Sequence, residues 1–212
     1  MANQEQQENL DSVINELEKK CKELPNSILA HHNLAMVYRK AGRHEDALRE
    51  LNKTIELDPL SAETHVNLGA LYFEMNDLEK ALAANQEALR ILPESAQAHA
   101  NIGLIWQQGG NTDKAIESYV ESTRHDPKLA TTWVNLTTAH IMAGNFDEAL
   151  KAAQQAIELD PDFPMAQNNL AVAHYYKNDF NAAKLHAEKA RVLGFPVDPR
   201  FDTAIAEGLA KS

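Results

Sequence analysis

The stretch that decides the fold is residues 61–94, SAETHVNLGALYFEMNDLEKALAANQEALRILPE. Its arrangement of apolar, small and proline positions recurs along the chain with a constant period of 34 residues. Such a period indicates one structural unit stacked several times, so that equivalent residues form rows and neighbouring units share one core. The clearest row is a set of five asparagines, each directly before Leu or Ile: Asn33, Asn67, Asn101, Asn135 and Asn169.

Each unit contains two apolar-periodic segments, which we name helix A and helix B. In the first unit, helix A is predicted near residues 28–41 and helix B near residues 45–57. Gly or Asn separates the two helices, as at Gly42 and Asn76, because these residues tolerate the left-handed conformation that ends a helix. Ser27, Ser61 and Ser95 are predicted N-caps. Two further rows are the prolines at the unit ends and the small residues in helix B: Pro25, Pro59, Pro93, Pro127, Pro161; Ala47, Ala81, Ala115, Ala149, Ala183.

Both ends of the chain differ from the repeats and are predicted to act as caps. Residues 10–24 carry apolar side chains at helical spacing, as do Phe201, Ile205 and Leu209 after Asp198-Pro199. Terminal helices with a polar outer face keep stacked repeats soluble. The predicted organisation is a disordered segment 1–8, a capping helix 9–25, five repeats over 26–197 (about 28–61, 62–95, 96–129, 130–163 and 164–197), and a capping helix 198–212.

The repeat resembles the tetratricopeptide repeat family. In the second repeat the family pattern is matched by His65, Leu68-Gly69, Tyr72, Ala81 and Pro93. The resemblance implies an all-α, right-handed superhelical solenoid of helix-turn-helix repeats, in which the A helices line a concave groove. The chain departs from the pattern at four places: Thr137, His140, His174 and the late end of repeat five at Phe195-Pro196.

The asparagine row is the candidate binding feature, because each carboxamide offers an acceptor and two donors to the backbone of an extended peptide. It is similar to the asparagine ladder in the repeat region of O-GlcNAc transferase. In the alternative interpretation, the asparagines bond to neighbours within the stack. The resemblance places the following residues in the groove beside the asparagines: His32, Met36, Arg39, Val66, Ala70, Phe73, Leu104, Gln107, Thr138, Ile141, Val172 and Tyr175.

Composition narrows the class of partner. The net charge is −11, which disfavours nucleic acids and anionic membranes as partners, and no segment is apolar enough for direct membrane insertion. We expect a neutral to basic protein or peptide segment. The chain has no phosphate loop, HExxH or GxSxG motif, so neither enzyme activity nor a cofactor is predicted. The single cysteine and the absence of a signal-like start favour the cytoplasm.

Two other functions stay open at this stage. The chain could be a homo-oligomer in which a terminal helix enters a neighbour's groove, or it could regulate an enzyme through its convex face. A chaperone carboxylate clamp is disfavoured, because its cationic positions fall on His32, Gln97 and Asn101. A cationic cluster near residues 31–44 is interpreted mainly as a solvated patch.

No metal site is predicted from the histidines. His31, His65 and His99 are equivalent residues of successive repeats, and helix packing separates them by roughly 8–10 Å. One zinc ion needs its ligands about 2.0–2.3 Å away. These histidines are therefore predicted to fill a packing position. Cys21, with no histidine close in sequence, is expected to be a plain half-buried thiol.

Overall fold

The computed structural model describes the backbone of residues 2–211 and the side chains of residues 10–211. Within the described backbone the chain is all-α, as predicted, with twelve helices and no strand. Disorder was predicted for residues 1–8; the described backbone places residues 2–8 at the start of the first helix, and their side chains lie outside the described residues. The helices are α1 (Ala2–Glu23), α2 (Ile28–Lys40), α3 (His44–Leu57), α4 (Ala62–Glu74), α5 (Leu78–Ile91), α6 (Ala96–Gln108), α7 (Thr112–His125), α8 (Ala130–Ala143), α9 (Phe146–Leu159), α10 (Pro164–Tyr176), α11 (Phe180–Val192) and α12 (Pro199–Lys211).

The helix ends follow the predicted turn chemistry. The Ser27 hydroxyl accepts from the backbone N–H of Ala30 at the start of α2, and Ser61 accepts from Thr64 at the start of α4, both at 3.3 Å. Each satisfies one backbone donor that a helix start leaves unpaired. Gly and Asn occupy the left-handed region between the two helices of each repeat, at φ values from 61° to 78°: Gly42, Asn76, Gly110, Gly144 and Asn178.

Small side chains let the two helices of a repeat pack closely. The five predicted alanines of the B helices are all fully buried at 0% exposure. In repeats one and five, helix A meets them with a second small residue, Ala35 and Ala171, also at 0% exposure. Larger apolar residues at these points would force the helices apart, so the close spacing follows from residue size.

The chain divides into two compact units, residues 1–105 (unit 1) and residues 106–212 (unit 2). The core of unit 1 contains Leu34, Leu51 and Leu71, at 0–2% exposure. The core of unit 2 towards its C-terminal end contains Ala183 and Ile205.

Both terminal helices pack on their own chain. In unit 1, Ile14 of α1 is 2% exposed in the core beside α2, whereas Val13 and Leu24 of the predicted apolar stripe are 38% and 50% exposed. In unit 2, Ile205 is 2% exposed, and Phe201 and Leu209 pack against the same cluster. Entry of either helix into a neighbour's groove would first require its release from these contacts.

Candidate peptide-binding groove

A side-chain hydrogen bond recurs in all five repeats, and it gives a structural role to the equivalent histidines His31, His65 and His99. The residue six positions after each unit-end proline donates a side-chain N–H to the carbonyl oxygen of that proline. A carbonyl only accepts, so the histidines carry their proton on Nε2. The donors are His31, His65, His99, Trp133 and Gln167, at 3.1, 3.3, 3.1, 2.8 and 2.8 Å from Pro25, Pro59, Pro93, Pro127 and Pro161. These side chains therefore hold the turn before helix A to the helix itself.

Two of the five asparagines bond within the stack. The Asn101 amide donates to Asn85 Oδ1 at 3.1 Å and its oxygen accepts from Gln97 at 3.0 Å. The Asn169 amide donates to the Val134 carbonyl at 3.2 Å and to the Thr138 hydroxyl at 2.8 Å. Both asparagines are 8% exposed. Asn101 and Asn169 therefore fit the alternative interpretation, in which the asparagines bond to neighbours within the stack.

The other three asparagines, Asn33, Asn67 and Asn135, are half-buried. Their amides form no hydrogen bond with any residue among the described side chains. An amide that is partly exposed and unengaged keeps its donors and acceptor for another molecule. The five asparagines occupy equivalent positions in the sequence, but two bond within the stack and three keep their amides available.

A cavity of about 490 Å³ lies along three successive A helices of unit 1, and we name it the unit 1 groove. Five of its lining residues were predicted: Arg39, Val66, Asn67, Ala70 and Asn101. The amide of Asn101 is engaged with Asn85. Sequence reasoning missed the rest of the lining, which comes from the first turn of α4 and from the turn before and start of α6: Ala62, Glu63, Leu92, Ser95 and Gln97.

Acidic residues neutralise the cations near this groove. The Arg39 guanidinium donates to both carboxylate oxygens of Glu74, at 2.6–3.0 Å. His32 Nε2 lies 3.6 Å from a carboxylate oxygen of Glu63, whose side chain is 78% exposed. Arg43, in the predicted cationic cluster, pairs with Asp46 at 2.6 Å. Arg39 and Arg43 are therefore paired with carboxylates, and Glu63 gives the groove an acidic edge.

A second cavity, of about 350 Å³, lies in unit 2 beside α10 and the start of α12. It contains the predicted residues Val172 and Tyr175. Tyr175 packs edge-on against Phe180 and Phe201, with ring centroids 5.6 and 5.4 Å apart. The capping helix thus forms part of this wall, which the repeat pattern alone does not predict.

The remaining predicted groove residues are separate from these two cavities. Gln107 accepts a hydrogen bond from the Tyr119 hydroxyl at 3.0 Å, and Thr138 donates to the Val134 carbonyl at 3.1 Å. These polar groups are already paired within unit 2. The others are half-buried and keep their predicted assignment: His32, Met36, Phe73, Leu104 and Ile141.

Cys21 differs most from its sequence-based description. It is 8% exposed, and its sulfur lies close to a ring nitrogen of His31 and a carboxylate oxygen of Glu50, all three atoms within 4.8 Å of one another. Burial raises the pKa of the Cys21 thiol, and the carboxylates of Glu50 and Glu18 raise it further. The expectation of a plain half-buried thiol was wrong, because Cys21 is buried and helix packing brings it near His31 and Glu50, which are 10 and 29 positions away in the sequence.

Unit 2 is expected to lose stability below neutral pH. Burial lowers the pKa of His140 below its ordinary 6.5, and its buried Nδ1 has no partner among the described residues. Burial also lowers the pKa of His186, as does the nearby His174. The unfolded chain therefore binds more protons below about pH 6.5, and folding becomes less favourable as pH falls.

For His140 this loss of stability is expected as the pH falls from 7.5 to 5.5. Thermal melts across this range should show a smaller pH dependence in His140→Phe, which restores the aromatic class of residue found at the equivalent Tyr38 and Tyr72. Equal pH dependence in parent and variant would contradict the assignment to His140.

Helix pairs that pack through small residues and recur every 34 residues define a helical repeat protein. A family model described as a tetratricopeptide repeat matches residues 26–94, and a second, described as a TPR repeat, matches residues 139–178. Together they cover more than half of the chain, which belongs to the tetratricopeptide repeat superfamily.

Solved structures show the same fold. The structure titled APC/C hetero-tetramer Cut9–Hcn1 is 16% identical with a TM-score of 0.80, covering 95% of this chain but only 40% of that one. PilF of Pseudomonas aeruginosa is 19% identical with a TM-score of 0.78, covering 98% of this chain and 92% of that one. MamA is 28% identical with a TM-score of 0.63, covering 75% and 93%.

A comparison with curated protein sequences finds no match. None of the helices in the described part of the chain combines the length and apolar character that a membrane crossing requires.

Proposed function

We propose that this chain is a protein-binding scaffold that holds an extended segment of a partner protein against its A helices. The observation that carries the proposal is the unit 1 groove, in which the unengaged Asn67 amide lies among residues of three successive A helices. A carboxamide can donate to a peptide carbonyl and accept from a peptide N–H at once. It therefore binds the backbone of a partner with little regard to its side chains.

The lining of the unit 1 groove suits a partner that is neutral to basic. Val66, Ala70 and Leu92 offer apolar contacts to small side chains. Arg39 is neutralised by Glu74, whereas Glu63 keeps an exposed carboxylate at the edge. The net charge of −11 also favours a basic partner, because it attracts positive charge over longer distances than the groove contacts do. A few amide contacts of roughly 0.5–1.5 kcal/mol each, together with apolar burial, correspond to about micromolar affinity.

The fold neighbours support a binding role. The structure of YrrB, 20% identical with a TM-score of 0.64, covers 92% of this chain and 98% of that one, and its title describes a TPR protein with an unusual peptide-binding site. That site is a property of YrrB. For this chain we propose the corresponding class of function, in the cytoplasm, with a polypeptide as the ligand.

The test compares two matched double variants. Asn33→Ala with Asn67→Ala removes half-buried amides that bond to no described residue, so the fold should be unchanged. Asn52→Ala with Gln86→Ala removes two exposed amides on the B helices α3 and α5. Affinity capture from native lysate identifies the partner, and calorimetry with a synthetic peptide of its bound segment measures the affinity. We expect at least about tenfold weaker binding, roughly 1.4 kcal/mol, for the first variant alone.

The controls separate this proposal from its competitors. Equal affinity for the two double variants would remove the free asparagines from the binding mechanism and favour a contact through the B helices. Circular dichroism and thermal melting of each variant establish that a loss of affinity does not reflect unfolding.

A further inference from the structure

Three potential metal ligands from three helices converge in unit 1. Cys21 Sγ of α1, a ring nitrogen of His31 of α2 and a carboxylate oxygen of Glu50 of α3 lie within 4.8 Å of one another. Cys21 and His31 are each 8% exposed, and the Glu50 side chain is 13% exposed. Ligands of a tetrahedral zinc ion are separated by roughly 3.3–3.8 Å, given bonds of about 2.0–2.3 Å. Side-chain shifts of about 1 Å would therefore complete the geometry.

The hydrogen bond from Nε2 to Pro25 leaves Nδ1 as the His31 nitrogen that faces Glu50. Nε2 donates to the Pro25 carbonyl at 3.1 Å, so in the neutral ring the lone pair is on Nδ1. Nδ1 faces Glu50 Oε2 at 2.6 Å. Two acceptors at this distance repel unless a positive charge, a proton or a metal ion, lies between them. A backbone carbonyl that orients the far ring N–H is also the usual support of a metal-bound histidine.

Comparison with the other repeats separates this cluster from the ordinary packing of the fold. In repeat five, the positions equivalent to His31 and Glu50 are Gln167 and His186, which share a hydrogen bond of 2.8 Å. A polar pair at these two positions is thus compatible with the repeat itself. The position equivalent to Cys21 is Ile157 there, and none of the other repeats has a thiol at this point. The thiolate donor is what distinguishes the first repeat.

The cluster is accessible from outside. Cys21, His31 and Glu50 all line a cavity of about 380 Å³. Glu18, one turn before Cys21 on α1, lines the same cavity and accepts a hydrogen bond from the Tyr38 hydroxyl at 2.6 Å. An ion can therefore reach the ligands, and a fourth coordination position is open to water.

We propose that Cys21, His31 and Glu50 bind a zinc ion, with water from the cavity as the fourth ligand. Thiolate, imidazole and carboxylate are the donors that zinc takes in proteins, and the thiolate disfavours magnesium and calcium. Bound zinc would tie the N-terminal capping helix to both helices of repeat one. This site is independent of the proposed groove function, since it shares none of the residues that line the unit 1 groove.

The experiment uses the full chain after metal removal, with cobalt(II) as a spectroscopic probe and zinc as competitor. We expect uptake of one cobalt per chain, a thiolate-to-cobalt charge-transfer band, loss of that band on addition of zinc, and a zinc-induced rise in melting temperature. Cys21→Ser should abolish the band. His31→Gln should weaken uptake by about 10–100-fold, while a glutamine can keep the bond to the proline carbonyl, as Gln167 does with Pro161.

His65→Gln is the matched control, because His65 makes the same proline contact without a thiol or carboxylate at the equivalent positions, Ile55 and Ala84. It should bind cobalt like the parent. No stoichiometric uptake by the parent, an unchanged band in Cys21→Ser, or an equal loss in His65→Gln would each overturn the site. Circular dichroism of the metal-free variants confirms that the helices are intact.

Discussion

Replacing Gly69 by alanine should lower the free energy of unfolding by about 2–4 kcal/mol, combining overpacking with the loss of a buried hydrogen bond. A Cβ on Gly69 would overlap the amide of Asn85 and lie 3.1 Å from the Ala81 carbonyl oxygen. Asn85 is fully buried and its amide donates to that same carbonyl at 2.8 Å while accepting from Asn101. The side chain therefore has no free space to move into, and unit 1 must shift.

The matched control is the double variant Gly69→Ala with Asn85→Ala. It creates the pair of alanines that repeat five contains at Ala171 and Ala187, which are 0% and 1% exposed. Chemical denaturation should show more than half of the lost stability restored, with the remaining deficit due to the unpaired Asn101. If the double variant is as unstable as Gly69→Ala, the loss does not come from the contact with Asn85.

Replacing Asn101 by alanine should lower the free energy of unfolding by about 1–3 kcal/mol, because it leaves the Asn85 oxygen buried without a donor. Asn85 is 0% exposed, so water cannot replace the lost bond without a rearrangement. Asn67→Ala, at the equivalent position of the preceding repeat, removes an amide with no bond to the described residues. Its stability should stay within about 0.5 kcal/mol of the parent.

The comparison of these two variants by chemical denaturation measures the division of roles within the row. A loss for Asn101→Ala no larger than for Asn67→Ala would show that the buried contact contributes little. The same result guides the binding test, since a variant that lowers both stability and affinity cannot assign a role to the groove. For this reason the binding variants use Asn33 and Asn67.

Much of the architecture follows from local chemistry and is visible in the residue pattern. The 34-residue period, the serine caps at Ser27 and Ser61, and the left-handed Gly42 and Asn76 each depend on one residue and its near neighbours along the chain. The buried alanine row depends on size alone, since any side chain larger than Ala would separate the two helices. In the first repeat the predicted helices, near residues 28–41 and 45–57, nearly match the observed Ile28–Lys40 and His44–Leu57.

Contacts between helices could not be predicted in the same way. Asn67 and Asn101 are equivalent in the pattern, yet Asn101 is engaged because residue 85, on the neighbouring B helix, is an asparagine and not an apolar residue. Likewise Arg39 is neutralised by Glu74, 35 residues away.

The period therefore determines which residues stand in a row, because backbone propensity and side-chain size act locally. The pattern does not determine which asparagines are paired and which are unpaired, or that His31 lies beside Cys21 and Glu50. These outcomes depend on side chains that approach one another only after the helices pack. Hydrogen bonds and ion pairs act over a few ångströms, so identical positions acquire different roles when one neighbour changes.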